Sequence, residues 1–285
     1  MKNLKIAIVG AGVMGTGVAC DLASYGYSVV LKDIDKIILD ESVDNIKKDL
    51  KFYKMIKKEF KELTIGEILN KINFTLNSDE IKDADLIIEN ITEDWDKKKE
   101  LYSELNKMCK ANVVFAVNTS CISITQIAAL VDNSQNVIGV HFMNPVPLKE
   151  IVETIKGYHT SEETIEFMKS FLKSINKTAV IVNDFPGFVA NRLSHLFMNE
   201  AAFLVQDGVA SPAQIDMIFK KGYGHKMGPL ETADLIGLDT VVDSLEILYK
   251  SYQDSKFRCC PLLRKMVNAG LLGRKTGKGF YDYKG

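Results

Sequence analysis

Cysteine is scarce in this sequence, and long hydrophobic runs are missing from it. The five cysteines include no CxxC pair and their number is odd, so they indicate neither a disulfide framework nor a zinc site. No stretch reaches the roughly 18 uninterrupted apolar residues of a membrane-spanning helix, and the N-terminus has no signal-peptide pattern. We therefore expect a cytoplasmic protein with no metal site and no membrane contact.

An excess of charge of either sign is missing as well. The 36 Lys and Arg residues nearly balance the 37 Asp and Glu residues, which leaves a formal net charge of −1. Such a chain has no overall attraction to nucleic acid or to a membrane surface, so a charged ligand must be bound by a local patch. The length of 285 residues and the hydrophobic content of 46% suit one large or two medium domains.

The beginning of the chain predicts a strand, a tight turn, a helix and a second strand. The first strand is LKIAIV at 4–9, which is short, rich in β-branched residues and stopped by glycine. GAGVMG follows at 10–15, then apolar residues at helical spacing, then an apolar run at 27–32 that ends at Asp33. A GxGxxG motif alone is a weak signal, but in this context it is typical of dinucleotide binding.

Each glycine of the motif has a predicted role. Gly10 allows the tight turn, Gly12 lets the backbone approach a pyrophosphate at the helix N-terminus, and Gly15 lets the helix pack closely on the strand. Asp33 is placed to accept the ribose hydroxyls of NAD and to repel the 2′-phosphate of NADP. We therefore predict an NAD site, with an ordinary turn between strand and helix as the alternative.

Three more short apolar runs, at 85–89, 113–117 and 137–140, predict further strands. The segments between them are long enough for crossover helices, so we expect a parallel, doubly wound sheet of Rossmann type. Ligands of such sheets bind beyond the carboxyl ends of the strands. The polar residues near those ends are Glu93, Asn118, Thr119, Ser120 and His141.

His141 follows the run at 137–140 and precedes the sequence NPVP, which we expect to keep the chain extended because proline fixes φ. EIVETI at 150–155 then predicts another strand, which carries Glu153. An imidazole exchanges protons near neutral pH, and a carboxylate on its other nitrogen fixes the tautomer and stabilises the imidazolium. Beside a nicotinamide cofactor, His141 and Glu153 therefore predict the acid/base pair of a dehydrogenase. A strand-end histidine bonded to backbone is the alternative.

The second half of the chain changes from strands to helices. After a predicted strand at 179–182, Asn183-Asp184 is a capping and turn signal, and Pro186 is acceptable in a first helical turn. Apolar residues then recur at intervals of three and four, and the rest of the chain shows no alternating strands. We predict a Rossmann domain at 1–183 and an all-α domain at 184–285.

Seven motifs in order resemble the 3-hydroxyacyl-CoA dehydrogenase family, and the resemblance covers essentially the whole chain. They are GAGVMG, NTSCISIT, HFMNPVP, IVETI, DFPGFVANR, GHKMGPLETADLIGLDT and GRKTGKGFYDY. The resemblance implies an NAD-dependent oxidation of a 3-hydroxyacyl thioester, or its reversal, as in fatty acid metabolism. It also implies a homodimer formed through the helical domain.

The resemblance further assigns roles to individual positions. It implies that the catalytic residues are His141, Glu153, Ser120 and Asn191. It implies that NAD contacts Gly10, Gly12, Val13, Met14, Gly15, Asp33, Glu93, Lys98, Ser120, Asn144 and Lys275.

Several of these positions have a simpler interpretation. Ser120 is also a possible helix N-cap, Lys98 a solvated lysine within Lys97-Lys98-Lys99, and Glu93 a loop carboxylate. Asn191 is also suited to the exposed face of a long helix.

Two stretches depart from the family pattern and bear on the substrate. Residues 44–61 carry seven lysines on a predicted helix, and Lys51 stands where the family has a serine that touches CoA. We predict that Lys51 and Lys54 bind substrate phosphates, with a solvated basic helix as the alternative. The second departure is Leu148-Lys149-Glu150, before the IVE stretch that ends in Glu153.

These departures leave alternatives for the function. Together with ENITEDWDKKKELY at 89–102, these two stretches resemble a subfamily that oxidises hydroxymalonyl units on an acyl carrier protein for polyketide biosynthesis. In such an enzyme the basic helix would dock the carrier protein. A non-catalytic dinucleotide-binding structural protein is an alternative of another class. A dehydrogenase of free hydroxy acids is a third, although the cleft motifs show no arginine to bind a carboxylate.

Overall fold

A computed structural model describes residues 3–284, which form two compact units that divide after Asp184. The N-terminal unit contains an eight-stranded sheet in the order β3-β2-β1-β4-β5-β6-β7-β8. Its strands are β1 (Ile6–Val9), β2 (Val29–Lys32), β3 (Ile72–Thr75), β4 (Leu86–Glu89), β5 (Val114–Val117), β6 (Val137–Phe142), β7 (Ile151–Lys156) and β8 (Thr178–Asn183). Its helices are α1 (Val13–Ser24), α2 (Lys36–Ile56), α3 (Ile65–Leu69), α4 (Trp95–Met108), α5 (Ile124–Ala128) and α6 (Glu162–Ser174).

The sheet is parallel except between β6 and β7. The central strands read as continuous apolar runs, and every residue of β1, β4 and β5 is buried, as expected where helices cover both faces. The predicted doubly wound Rossmann fold is confirmed. The expectation of a wholly parallel sheet is wrong at β6 and β7, which pair antiparallel because only a short connection joins them. The strand β3 was not predicted.

Two predicted segments have a different local structure. His141 lies inside β6 rather than just past its end, since the strand continues to Phe142. The chain after Pro145 is not extended, because Val146–Leu148 forms a 3₁₀ turn closed by the Leu148 N–H donating to the Pro145 carbonyl at 3.0 Å.

The basic segment 44–61 forms parts of two elements. Most of it belongs to α2, which begins at Lys36, where the Asp35 carboxylate caps the helix by accepting the Ile37 N–H. Lys58 begins a 3₁₀ turn, Lys58–Phe60, which Lys57 precedes and Lys61 follows.

The C-terminal unit consists of helices in the part that the structure describes. They are α7 (Ala190–Gln206), α8 (Pro212–Met217), α9 (Pro229–Ile236), α10 (Leu238–Tyr252) and α11 (Pro261–Asn268). Their core includes Met198, Leu230, Leu238, Leu245 and Leu263, all buried. The all-α character of this unit agrees with the prediction.

The first long helix of this unit begins later than expected. We expected Pro186 in its first turn, but α7 begins at Ala190. Gly187 and Phe188 have φ values of +76° and +49°, and this left-handed backbone interrupts a right-handed helix.

The C-terminal segment GKGFYDY is held by a buried carboxylate of α9. Asp234 accepts hydrogen bonds from the N–H groups of Phe280 and Tyr281, both at 3.0 Å, and from the Tyr283 hydroxyl at 3.0 Å. A Cβ on Gly279 would lie 2.0 Å from Asp234 Oδ1. This glycine therefore belongs to the packing of the segment against α9.

Across residues 3–284, no helix combines the length and the apolar composition needed to cross a membrane.

Candidate active site

The glycine-rich turn between β1 and α1 is sterically fixed. Gly10 has φ of +97°, and a Cβ there would lie 2.7 Å from the Asn90 carbonyl oxygen. A Cβ on Gly15 would lie 1.8 Å from the Gly10 carbonyl oxygen. Neither contact is tolerable, so both positions require glycine for the turn to pass this close to α1 and to the end of β4.

Gly12 differs from its two partners because it faces open space. It is the N-cap of α1, and a Cβ there would meet nothing within 4 Å. The next residue, Val13, has 70% of its surface exposed, and Met14 is half-buried. The free N–H groups at the start of a helix attract phosphate, and the missing side chain leaves room for it.

Asp33 anchors the same turn from the end of β2. Its Oδ2 accepts the Ala11 N–H at 2.7 Å, and its Oδ1 accepts the Ile34 N–H at 2.7 Å. The carboxylate therefore lies beside the glycine turn, as in the ribose-binding position of this fold. Together the open N-terminus of α1 and the adjacent carboxylate fit the pyrophosphate and ribose of a dinucleotide.

His141 and Glu153 are direct cross-strand neighbours in β6 and β7. His141 Nδ1 lies 3.0 Å from Glu153 Oε2, and both side chains are buried. An ionised carboxylate can accept hydrogen bonds but cannot donate them. Nδ1 therefore carries the proton, and the other nitrogen, Nε2, is the acceptor in the neutral ring. The antiparallel pairing brings together two residues that are twelve positions apart.

Ser120 lies on the other side of the imidazole. Its Oγ is 3.4 Å from His141 Nε2. The interpretation of Ser120 as a helix N-cap is wrong, because Ser123 caps α5 and its Oγ accepts the Gln126 N–H. Ser120 instead belongs to the loop between β5 and α5.

Glu93 holds the loop that carries Ser120. Its Oε1 accepts the Thr119 hydroxyl at 2.6 Å, the Ser120 N–H at 2.9 Å and the Cys121 N–H at 2.8 Å. The Ile122 N–H donates to the same oxygen at 3.3 Å, so four donors fix the loop to the segment after β4. Glu93 is therefore more than a loop carboxylate, whether or not it also contacts a cofactor.

Lys98 is not a solvated lysine. Its side chain is fully buried, and its ammonium lies 2.7 Å from both carboxylate oxygens of Glu89 and 3.3 Å from the Asn118 carbonyl. Burial raises the pKa of Glu89, and the Lys98 ammonium opposes that rise. The pair lies beneath the carboxyl ends of β4 and β5, where it supports the loop rather than facing solvent.

Asn118 joins three strand ends, a role that was not predicted. Its Nδ2 donates to Asn90 Oδ1 at 2.7 Å, and its Oδ1 accepts the Phe142 N–H at 3.3 Å. It therefore links β4, β5 and β6 next to His141. Its sequence position at the end of a strand was the only signal for it.

The remaining predicted residues lie in several elements. Asn144 is exposed after β6, while Lys51 is exposed and Lys54 half-buried on α2. In the C-terminal unit, Asn191 is the second residue of α7, and its carbonyl accepts the His195 Nδ1–H at 2.9 Å. Lys275 is exposed there and forms an ion pair with Asp239 at 2.6 Å. Their roles in binding or catalysis stay predictions.

Comparisons with known proteins cover the chain from end to end. Residues 5–185 match the family model for the 3-hydroxyacyl-CoA dehydrogenase NAD binding domain, and residues 187–283 match the model for the C-terminal domain of the same family. A probable 3-hydroxybutyryl-CoA dehydrogenase of Bacillus subtilis is 43% identical, covering 100% of this chain and 99% of its own. The 3-hydroxybutyryl-CoA dehydrogenase of Clostridioides difficile is also 43% identical, over 98% of this chain and 99% of its own.

A solved structure supports the same similarity. The crystal structure of (S)-3-hydroxybutyryl-CoA dehydrogenase from Ralstonia eutropha superposes with a TM-score of 0.91 at 39% identity, and the match covers 99% of both chains.

Proposed function

The chain belongs to the 3-hydroxyacyl-CoA dehydrogenase family, and from that premise we propose that it interconverts 3-hydroxyacyl-CoA and 3-oxoacyl-CoA. It is an oxidoreductase, and its N-terminal domain binds NAD. Relatives that are 43% identical over nearly their full length are named as 3-hydroxybutyryl-CoA dehydrogenases. This similarity makes 3-hydroxybutyryl-CoA and acetoacetyl-CoA the first substrate pair to test.

The protein itself must handle one proton. A bound NAD would supply the hydride acceptor for the carbon that carries the hydroxyl group, and a bound NADH would supply the hydride donor in the reverse direction. His141 Nε2 takes the hydroxyl proton during oxidation and gives it back during reduction. Glu153, 3.0 Å from Nδ1, holds the ring and stabilises the imidazolium that forms.

The observation that carries this proposal is the two-sided environment of His141. One ring nitrogen is engaged by a buried carboxylate, and the other is turned toward the Ser120 hydroxyl at 3.4 Å. A histidine that only stabilised the fold would need neither a buried carboxylate nor an opposing hydroxyl. We propose that the Ser120 hydroxyl hydrogen-bonds the substrate oxygen that exchanges its proton with Nε2.

The basic face of α2 supports a phosphate-bearing thioester. Lys51 is exposed, and Met55 beside it has 82% of its surface exposed. We propose that Lys51 and Lys54 attract the phosphates of CoA. A carrier-protein thioester is the other substrate that this face would attract.

Acetoacetyl-CoA and acetoacetyl-N-acetylcysteamine separate these possibilities, since the second thioester has no phosphates. Replacement of Lys51 and Lys54 by glutamate is expected to raise KM for the CoA thioester and to leave KM for the short thioester unchanged. Lys36→Glu, on the first turn of the same helix, is the matched control and should change neither. Turnover only with a carrier-bound substrate would favour the carrier-protein alternative, and NADH binding without any turnover would favour a non-catalytic protein.

We also propose that the C-terminal unit binds a second copy of the chain. It exposes large apolar side chains, Met217 at 53%, Ile218 at 56%, Tyr223 at 71% and Leu235 at 51%. A set of this kind is typical of a protein interface. Light scattering of the full chain should give the mass of a dimer, and Ile218→Lys with Leu235→Lys should give the mass of a monomer.

A further inference from the structure

The connection between β6 and β7 determines how His141 meets Glu153. It consists of residues 143–150, and the two strands that it joins pair antiparallel with His141 opposite Glu153. A shift of this connection would displace both side chains together. What holds it in place therefore bears on the geometry of proton transfer.

A buried lysine holds two of its carbonyl groups. Lys177 lies just before β8, and only 1% of its side chain is exposed. Its ammonium donates to the carbonyl oxygens of Val146 at 2.8 Å and Lys149 at 2.6 Å, and it lies 3.0 Å from Asp21 Oδ2. The ammonium has three N–H groups, and three oxygen atoms surround it.

The third oxygen belongs to α1, the helix that follows the glycine-rich turn. Asp21 is 1% exposed, and beyond this ion pair neither of its carboxylate oxygens has a protein hydrogen-bond donor within residues 3–284. Burial raises the pKa of Asp21, and Lys177 opposes the rise; burial lowers the pKa of Lys177, and Asp21 opposes that change. Each charge is thus the main one that offsets the effect of burial on the other group.

A second lysine binds the carbonyl group of Pro147, which lies between Val146 and Lys149 in the chain. The Lys57 ammonium donates to the Pro147 oxygen at 2.8 Å and to the Tyr25 hydroxyl at 3.3 Å. The apolar side of the connection packs on α1, where a Cβ on Gly17 would lie 3.4 Å from Val146. The connection is therefore fixed against the dinucleotide-binding helix by polar and apolar contacts.

We propose that Lys177 is a positioning residue that holds the 143–150 connection against α1 and thereby sets His141 and Glu153 relative to the bound cofactor. This inference rests on the proposed function of His141. The same lysine links the helix that begins at the cofactor turn to the strands that carry the proton-handling pair. A displacement of about 1 Å at such a pair is enough to lower a rate about a hundredfold.

In the alternative interpretation, Lys177 and Asp21 form a buried ion pair that contributes only to stability. A cycle of three variants separates the two roles. Lys177→Met removes the ammonium and leaves a buried, uncompensated carboxylate, which is strongly destabilising. Asp21→Asn keeps the ammonium and its two carbonyl contacts but removes the carboxylate charge that compensates it. The combined Asp21→Asn/Lys177→Met variant has no uncompensated charge but lacks the ammonium that binds the Val146 and Lys149 carbonyl groups.

If Lys177 positions the pair, kcat should depend on whether Lys177 is present and not on how stable the variant is. Asp21→Asn should keep nearly the normal kcat, whereas the double variant should recover melting temperature relative to Lys177→Met and still lose about tenfold to a hundredfold in kcat. KM for acetoacetyl-CoA should stay near that of the unmodified protein. Recovery of kcat together with melting temperature in the double variant would overturn the proposal. If Lys177→Met fails to fold, the other two variants still decide.

Hydrogen exchange of the cofactor-free full chain gives a second measurement that does not depend on turnover. Backbone amides of residue 146 and of residues 148–150 should exchange faster in the double variant than in Asp21→Asn, while those of β1 and β4 should be unchanged. Equal exchange at these amides in both variants would contradict the inference. If the unmodified protein does not turn over acetoacetyl-CoA, the proposed function fails, and the exchange measurement still shows whether Lys177 fixes the connection.

Discussion

Glu153 Oε2 lies 3.0 Å from His141 Nδ1, across an antiparallel strand pair in an otherwise parallel sheet. This relationship keeps the imidazole in one tautomer and one orientation. It leaves Nε2 as the group that faces the Ser120 hydroxyl. The proton chemistry proposed for this protein depends on that arrangement.

Replacement of Glu153 by glutamine tests the role of the carboxylate. The amide of Glu153→Gln has the same shape but no charge, and its NH₂ group favours the wrong imidazole tautomer. We expect kcat to fall about a hundredfold or more, by analogy with carboxylate-to-amide changes beside catalytic histidines. Steady-state kinetics checks this expectation, with Glu162→Gln on the exposed start of α6 as control. A kcat within the range of the control would show that Glu153 has no part in the chemistry.

Glu93 is expected to act through the loop that carries Ser120. Glu93→Ala removes the oxygen that accepts from Thr119, Ser120 and Cys121, so we expect kcat to fall about tenfold to a hundredfold through misplacement of the loop. Glu93→Gln keeps an acceptor oxygen and should lose much less. The two variants are compared by kcat and by amide exchange of residues 119–122. Equal losses in both would mean that the charge of Glu93, rather than its hydrogen bonds, is what matters.

Two glycines of the same motif should respond in opposite ways to alanine. Gly15→Ala places a Cβ 1.8 Å from the Gly10 carbonyl oxygen and is expected to destabilise the fold by about 2 kcal/mol or more. Gly12→Ala meets nothing within 4 Å, so it should melt at the normal temperature but bind NADH more weakly. Thermal unfolding and NADH fluorescence titration measure both effects. Normal NADH affinity in Gly12→Ala would place the pyrophosphate elsewhere.

Three thiols, those of the buried Cys20 and Cys259 and the half-buried Cys109, are expected to be unreactive in the native protein. Burial raises the pKa of Cys20 to about 12 and that of Cys109 and Cys259 to about 11, from an ordinary value of 9.0. These three thiols therefore stay protonated at pH 8 in the native protein, and their alkylation should be much slower than after unfolding. Because the folded pKa is the higher one, the associated stability is present below pH 9 and is lost as the pH rises above it. Rapid native labelling of Cys20 would contradict its burial.

Local patterns were sufficient to predict the glycine turn and most strands. LKIAIV followed by GAGVMG indicates a strand and then a tight turn. Glycine ends the apolar strand, and the turn needs left-handed backbone at Gly10. The antiparallel pairing of β6 and β7 was not predicted, because strand direction depends on a connection whose shape comes from tertiary contacts. NPVP was expected to be extended. The segment leads into a turn instead, and lysines distant in sequence bind its carbonyl groups.

Buried charges were the part of the site that sequence patterns described least well. Lys98 stands in a run of three lysines and was weighed as a solvated residue, yet it is fully buried against Glu89. No sequence motif indicated Lys177 or Asp21. Their partners are distant in sequence, so neither periodicity nor spacing indicates them.

Oxidation of NADH by acetoacetyl-CoA, measured with the unmodified protein and with His141→Ala, tests the central claim most directly. The unmodified protein is expected to turn over the thioester. The variant is expected to lose about a hundredfold to ten-thousandfold in kcat, the usual contribution of general acid–base catalysis, while it binds NADH with nearly the same affinity. Turnover in the variant equal to that of the unmodified protein would contradict the assignment of His141 as the proton-handling residue.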